Sequence, residues 1–138
     1  MIIQKKLYIT SKGYTDIIDI TPSLRKYVQE AGVDNGNILV FVPGSTGSLT
    51  TIEYEPGLLK DLPELLERII PMHKSYHHDN TWHDGNGYAH LRAALMGSSI
   101  TIPFADKELQ LGTWQQVVFI DFDNRSRQRN LHVQIYGE

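Results

Sequence analysis

The densest group of chemically versatile side chains in this chain is a set of histidines. Five of the six histidines lie between positions 73 and 90, namely His73, His77, His78, His83 and His90. Neutral imidazole is a common ligand for zinc and related ions, and three histidine ligands leave one coordination position open for chemistry. The sequence therefore predicts a divalent metal ion, zinc or magnesium, bound by His78, His83 and His90. The alternative is that these imidazoles are exposed loop residues or hydrogen-bond partners, because their spacing matches no helical or zinc-finger pattern.

Two further segments carry donors suited to an anion. The loop from Pro43 to Ser48 combines glycines with hydroxyl side chains and lacks the lysine of a Walker loop. Thr46 and Ser48 are its predicted anion contacts. Asn86 directly precedes a predicted helix, whose first N–H groups and partial positive charge suit a phosphate. Each segment has a structural alternative, a polar strand connection for the loop and a helix cap for Asn86.

Charged side chains elsewhere complete the set of candidates. Arg125, Arg127 and Arg129 occur at every second position, so on an extended strand their guanidinium groups share one face and can capture phosphate or carboxylate. Arg127 is the predicted anion contact, against the alternative of a solvated basic turn. Glu53 is predicted to be a metal ligand or a general base, or else a solvent-facing strand residue. Arg92 lies on the far side of the same helix as the last histidine of the group and is assigned to a subunit contact.

The elements that position these residues follow from periodicity and turn signals. Segments rich in β-branched and aromatic residues predict strands, the first two joined by a hairpin turn at positions 11–13. The predicted strands span residues 2–9, 13–20, 37–42, 49–54, 98–104, 113–123 and 130–136. Trp114 opens the sixth of these strands and is assigned to the core or to a subunit interface.

Helical spacing of apolar residues predicts about three helices. The first has Thr21 as its N-cap, the second carries an apolar stripe from Leu58 to Ile69 that Pro63 could kink, and the third spans residues 88–96. Residues 71–87 show no periodicity. Strands outnumber helices without regular alternation, which predicts an α+β fold with a mixed or antiparallel sheet.

Length and composition narrow the classes of protein to consider. The chain has 138 residues, 41% of them hydrophobic, which predicts one folded domain over residues 1–138. It contains no cysteine, so disulfides, thiolate metal sites and cysteine nucleophiles are excluded. The net charge of −3 gives no electrostatic reason to expect nucleic acid or anionic membrane, and small-molecule or protein partners are expected instead. With no membrane-spanning segment and no signal peptide evident, a cytoplasmic location is expected.

Several separate blocks, in this order, resemble the YjbQ family, described as secondary thiamine-phosphate synthases. The resemblance covers residues 5–137, and its most specific blocks are the Ala-His-Leu and Gly-Thr-Trp-Gln segments. The blocks are Val42-Pro43-Gly44-Ser45-Thr46-Gly47, Thr51-Ile52-Glu53, His78, Asn86-Gly87-Tyr88-Ala89-His90-Leu91, Leu111-Gly112-Thr113-Trp114-Gln115-Gln116 and Arg125-Ser126-Arg127.

The resemblance implies a fold, an assembly and an activity. It implies a compact α+β subunit that forms a homotrimer, with a polar catalytic site around His78, His90 and Glu53. It also implies a weak activity that joins hydroxymethylpyrimidine diphosphate to thiazole phosphate and releases pyrophosphate. The sequence departs from the family pattern at Tyr88, where many members have histidine, and at Ser45, which replaces the histidine of a His-Thr pair. Both departures reduce the number of histidine ligands available.

Two other functions compete with this interpretation. In the first, the protein is a metal-dependent hydrolase in which Glu53 is the general base and His78, His83 and His90 hold the metal. In the second, it is a non-catalytic trimer whose pocket binds a metabolite. The expected partner is a phosphorylated small molecule, although the hydrolase interpretation also leaves amide substrates open.

Overall fold

The fold contains eight strands and four helices. The computed structural model describes residues 1–138, and all its strand pairs are antiparallel. The strands are β1 (Ile2–Ser11), β2 (Asp16–Asp19), β3 (Gly36–Phe41), β4 (Gly47–Ile52), β5 (Ser99–Ala105), β6 (Glu108–Leu109), β7 (Gln116–Asp121) and β8 (Arg127–Gly137). The helices are α1 (Thr21–Glu30), α2 (Pro56–Ile69), α3 (His77–Trp82) and α4 (Gly87–Met96). The predicted α+β class is confirmed, with three longer helices and a fourth of 6 residues.

The strands form two separate sheets. A five-stranded sheet has the order β1-β8-β3-β5-β6, and a three-stranded sheet has the order β2-β7-β4. The predicted hairpin between the first two strands is therefore wrong, because β1 pairs with β8 and β2 pairs with β7. Between them Gly13, Tyr14 and Thr15 all adopt positive φ, which turns the chain from one sheet to the other. A Cβ on Gly13 would lie 2.3 Å from the carbonyl oxygen of Arg125, so only glycine fits this crossing.

Strand β7 is buried on both faces and separates two apolar clusters. Val117 and Phe119 face the inner side of the five-stranded sheet, where α1 closes the end of the first cluster. Val118, Ile120 and Phe122 face the opposite way, toward α2 and α4. The fold is thus three layers deep: the large sheet, the small sheet and a helical layer. This continuous apolar run is typical of a strand covered on both faces.

The first helix differs from its prediction at the N-terminus, whereas the second agrees with its prediction. Helix α1 begins at Thr21 itself, whose hydroxyl bonds to the backbone of Val117 and does not cap the helix. Helix α2 is one continuous helix that includes Pro63. No helix of the protein combines the length and the apolar character that crossing a membrane would require.

The short helix α3 lies inside the segment that showed no periodicity. Its position depends on the Asp79 carboxylate, which accepts hydrogen bonds from the N–H groups of Tyr76 and Gly87 at 3.2 and 3.0 Å. His83 ends the helix in a left-handed conformation. Asp79 therefore joins the start of α3 to the start of α4 and holds the histidine segment against the rest of the fold.

Candidate functional site

Three loops converge to form a wholly polar cavity of about 550 Å³. They are the β3–β4 loop, the turn between α3 and α4, and the β7–β8 connection. None of the residues that line the cavity is hydrophobic. The lining residues, which we call the polar basin, are Pro43, Gly44, Ser45, Thr46, Asp84, Asn86, His90, Asp123, Asn124, Arg125, Arg127 and Arg129. Four residues predicted as site residues, Thr46, Asn86, His90 and Arg127, lie together in this basin.

A buried ion pair holds one wall of the basin. The Arg129 guanidinium donates to both carboxylate oxygens of Asp121 at 2.7 and 2.8 Å, and both side chains are buried. Burial alone would raise the pKa of Asp121, but hydrogen bonds from Arg129 and from the Asp123 N–H outweigh it and hold the pKa below its usual value. The hydrogen bond to Asp121 raises the pKa of Arg129, against the opposing effect of burial. The pair stays ionised and fixes the end of β8 against β7.

The hydroxyl of Thr46 links this pair to a second one. Arg129 Nη2 donates to Thr46 Oγ1 at 2.6 Å, and that hydroxyl donates to Asp123 Oδ2 at 3.0 Å. Arg127 Nη1 donates to the same Asp123 oxygen at 3.0 Å. Arg125 lies in the turn before β8, is exposed, and has no ion-pair or hydrogen-bond partner for its guanidinium. Of the three arginines in the wall, Arg125 alone has its full hydrogen-bonding capacity available to a ligand.

His78 and His90 meet at the edge of the basin. Their ring centroids are 4.1 Å apart, so the loop and the neighbouring helix bring the two imidazoles into contact as predicted. Burial lowers the pKa of His90, and the adjacent His78 lowers it further. His90 is thus a neutral base at pH 7. The Nδ1 atom of His78 is buried and has no hydrogen-bond partner.

The Nδ1 atom of His78 lies near two carboxylates. It is 3.7 Å from Asp84 Oδ1 and 4.0 Å from Asp79 Oδ1, and the three potential ligand atoms lie within 4.8 Å of one another. His83 is exposed and lies outside this group. The structure thus brings two aspartates to His78, and His90 stacks on its ring. The missed signal was the presence of Asp79 and Asp84 within one turn or loop of His78.

Asn86 connects the basin to α4 through both its backbone and its side chain. Its carbonyl accepts from the N–H groups of Ala89 and His90, while its side-chain oxygen accepts from the Asn124 N–H at 3.1 Å. It occupies the N-cap position, but its side chain makes no cap hydrogen bond. The N–H of Gly87, at the first helical position, is taken by Asp79. The N-terminal end of α4 therefore offers an anion fewer free N–H groups than the sequence predicted.

Besides His78 and His83, two more predicted site residues are absent from the lining of the basin. The Ser48 hydroxyl is fully buried and donates to the Ala93 carbonyl at 3.1 Å, which fastens β4 to α4. Glu53 follows β4, is exposed, and lines a separate cavity with Tyr54 and Trp114. Within one subunit the structure does not bring Glu53 to the histidine pair.

Two other predictions about single residues need correction. Trp114 lies neither in a strand nor in the core, because β7 begins at Gln116 and the indole is 73% exposed in a turn closed by Gly112–Gln115 hydrogen bonds; its place in a subunit interface stays a prediction. Arg92 was assigned to a subunit contact. Its side chain is buried within the subunit, where it donates to the Ile70 carbonyl, to Thr15 and to Glu67.

Comparisons with known proteins identify the family of the chain. A family model described as UPF0047 protein YjbQ-like matches residues 5–138. A UPF0047 protein of Archaeoglobus fulgidus is 40% identical over 124 residues, which are 90% of this chain and 94% of that protein. UPF0047 protein YugU of Bacillus subtilis is 30% identical over 135 residues, which are 96% of this chain and 98% of that protein.

Solved structures show the same fold along the full chain. A YbjQ-like protein of unknown function from Sulfolobus solfataricus P2 has a TM-score of 0.93 at 28% identity, and the match covers 100% of this chain and 99% of that one. A YjbQ/UPF0047 protein from Clostridium acetobutylicum has a TM-score of 0.86 at 34% identity, with 96% of this chain and 99% of that one covered. With both a full-length family model and curated relatives above 30% identity, the chain belongs to the YjbQ-like UPF0047 family.

Proposed function

We propose that the polar basin binds the phosphate or diphosphate group of a small molecule, which then reacts beside His90. The observation that carries this proposal is the unpaired guanidinium of Arg125 in a wall that contains no hydrophobic residue. Arginine presents a planar set of donors that matches phosphate oxygens. Arg127 and Arg129 extend the same wall, and their pairing with Asp123 and Asp121 holds them in place.

The presence of the Asp84 carboxylate in this wall favours a cation that binds together with the anion. A carboxylate in the wall of an anion site repels the ligand unless a positive charge lies between them. Asp84, Asp79 and the unpartnered Nδ1 of His78 form a group of suitable size, with one nitrogen and two carboxylates. Imidazole suits zinc and carboxylate suits magnesium, so both metals of the sequence prediction fit this donor set. A bound divalent ion would neutralise charge on a diphosphate group.

The reaction that the resemblance implies suits this site. In it the carbon–oxygen bond to diphosphate breaks, the thiazole nitrogen forms the new carbon–nitrogen bond, and pyrophosphate leaves with the electron pair. The arginines stabilise the negative charge on the leaving diphosphate. The neutral imidazole of His90 is available to accept a hydrogen bond at the reacting end and so to orient the substrate. A weak thiamine-phosphate synthase activity is thus the first activity to test.

The anion site is tested by titrating pyrophosphate into wild-type protein and into Arg125→Ala, with calorimetry as the readout. A lost hydrogen bond to a charged group costs about 1.5–3 kcal/mol, so the variant should bind roughly 10- to 100-fold more weakly. Arg25→Ala removes an equally exposed arginine from α1, in a separate cavity, and should bind like the wild type. Equal affinities in all three proteins would overturn the proposal.

Catalysis is tested separately with hydroxymethylpyrimidine diphosphate and thiazole phosphate. His90→Ala should abolish turnover while it leaves pyrophosphate binding within a few-fold of wild type. Stabilisation by pyrophosphate without turnover in the wild type would instead favour the non-catalytic, metabolite-binding alternative. A metal-dependent hydrolase receives less support, because Glu53, its proposed general base, lies in a different cavity.

The metal proposal has its own measurement. Protein purified without chelator should contain zinc or magnesium by elemental analysis, and His78→Ala should lose it. His77→Ala removes the neighbouring exposed imidazole and should keep the metal. Equal metal content in both variants would exclude His78 as a ligand.

We also propose that the protein forms the homotrimer that the resemblance implies. The outer face of the five-stranded sheet is covered by no element of its own chain and exposes Ile2, Tyr8 and Phe41. Large apolar side chains exposed on an uncovered sheet face favour contact with another subunit. Light scattering should give about three times the chain mass of 15.7 kDa. Tyr8→Lys should shift the mass toward the monomer, and a monomeric wild type would contradict the proposal.

A further inference from the structure

Tyr88 carries a buried hydroxyl that has no partner. The residue is 1% exposed, and its hydroxyl oxygen makes no hydrogen bond within the protein. Buried hydroxyl groups are almost always paired, because an unpaired one loses its hydrogen bonds to water without replacement. The unpaired hydroxyl therefore needs an explanation other than packing.

Tyr88 forms part of the wall of a second cavity, which we call the Tyr88 cavity. Its volume is about 350 Å³, within the usual range for small-molecule sites. The other lining residues are Tyr14, Met72, His73, Lys74, Asp79, Gly85 and Asn124. Asn124 also lines the polar basin, so the two cavities are neighbours on either side of the turn between α3 and α4.

The wall of the Tyr88 cavity offers mainly hydrogen-bond donors. Burial raises the pKa of Tyr88 to about 12, so its hydroxyl remains protonated and can donate. Lys74 adds an ammonium group at the rim. Each Asp79 oxygen already receives one N–H group, from Tyr76 or from Gly87. A ligand with an acceptor oxygen suits the two donors, the Tyr88 hydroxyl and the Lys74 ammonium.

The remaining wall suits a flat ring. The side chain of Tyr14 is 57% exposed and Met72 lies in the same wall, so an aromatic face and a thioether are both available for contact. The backbone of Tyr14 is held by a hydrogen bond of 2.7 Å from its N–H to the Asp123 carbonyl. Its ring is exposed and lines the same cavity as Tyr88.

We infer that the Tyr88 cavity binds a small planar ring whose carbonyl or carboxylate oxygen accepts a hydrogen bond from the Tyr88 hydroxyl. The site is separate from the anion contacts of the polar basin and does not depend on the proposed function. Because the two cavities adjoin, a ring held here lies next to a phosphorylated ligand held there.

The test uses benzoate and benzamide as probes on the whole protein, with binding measured by ligand-observed NMR and calorimetry. The two probes distinguish a carboxylate from a neutral carbonyl, and acetate controls for the ring. At least one ring probe should bind wild type and should bind Tyr88→Phe about tenfold more weakly. Failure of both probes to bind, or equal binding by wild type and Tyr88→Phe, would overturn the inference.

Thermal stability without ligand gives an independent readout. Tyr88→Phe removes a hydroxyl with no partner, so its melting temperature should equal or exceed that of wild type. Tyr76→Phe is the matched control, because that hydroxyl donates to the Pro71 carbonyl at 2.6 Å and its loss should lower the melting temperature. A clear drop for Tyr88→Phe would show that its hydroxyl is already satisfied and would also refute the site. Pyrophosphate binding should be unchanged in Tyr88→Phe, which separates this test from that of the basin.

Discussion

Replacing Asp121 by asparagine tests whether the buried ion pair holds the wall of the basin. The carboxylate accepts two hydrogen bonds from Arg129, at 2.7 and 2.8 Å, and one from the Asp123 N–H at 3.1 Å. Asparagine is nearly the same shape, but it is uncharged and replaces one acceptor by an NH₂ group that faces the guanidinium. Arg129 then remains buried, with Asp123 at 3.7 Å as its nearest carboxylate.

The expected cost is large for a domain of this size. Removing one partner of a buried ion pair costs about 3–5 kcal/mol, because the other charge remains uncompensated. The nearby Asp123 carboxylate limits the loss, so we expect about 3 kcal/mol. Small domains have a free energy of unfolding of about 5–15 kcal/mol, so the variant should fold but with much lower stability.

Urea denaturation followed by circular dichroism measures this cost. The double variant Asp121→Leu/Arg129→Met replaces the whole pair by apolar groups and should be more stable than Asp121→Asn alone, since Arg129 no longer remains buried without its partner. The folded-state pKa of Asp121 is depressed, so its stabilisation is present above the unfolded-state pKa and is lost as pH falls through the folded-state value. The gap between wild type and Asp121→Asn should therefore narrow in acid. A cost below about 1 kcal/mol at pH 7 would refute the role given to the pair.

Three further outcomes are expected. Ser48→Ala removes a buried hydrogen bond to Ala93 and should lower the free energy of unfolding by about 1 kcal/mol in urea, with pyrophosphate affinity unchanged. Weaker pyrophosphate binding by this variant would show that Ser48 contributes to the anion site. Gly87→Ala places a Cβ 2.7 Å from Cβ of Tyr76 and should cost about 1–3 kcal/mol by thermal melting, whereas a neutral result would mean that α3 shifts freely. The folded-state pKa of His90 lies below the ordinary 6.5, so the unfolded state takes up the proton first and stability should fall as pH drops below about 6.5; His90→Gln should flatten that slope in urea titrations at several pH values, and an unchanged slope would exclude His90 as its source.

The elements of the fold were more predictable than their pairing. Apolar alternation and helical spacing located the three longer helices and every strand except β6, a strand of 2 residues inside a segment predicted to be a connection. The same patterns do not say which sheet a strand joins. The crossing after β1 depends on positive φ at Tyr14 and Thr15, residue types that carry no signal for that conformation. Helix α3 was missed because 6 residues are too few for periodicity and its position depends on contacts of Asp79.

Those parts of the candidate site that depend on residue type could be predicted from the sequence. Those that depend on the hydrogen-bond and ion-pair partners of each side chain could not. The histidine pair and the arginines were identified because their types and spacing suit ligands. The sequence around Arg129 does not show that its guanidinium is buried and paired with a carboxylate. The signal was available in the preceding strand, where Asp121 and Asp123 alternate at the same two-residue spacing as the arginines. Glu53 was identified from its Thr-Ile-Glu block as a catalytic residue of the histidine site. Within one subunit, however, it lines a different cavity.

The double-sided burial of β7 has a consequence for how the molecule unfolds. The central strand belongs to both apolar clusters, so neither layer can open without exposing residues of the other. Hydrogen exchange should consequently give the N–H groups of Val118, Phe119 and Ile120 a single protection level equal to the global unfolding free energy. The large sheet, the small sheet and the helices would then melt in one cooperative transition, and the basin, whose wall includes Arg127 and Arg129 of β8, would be lost with them.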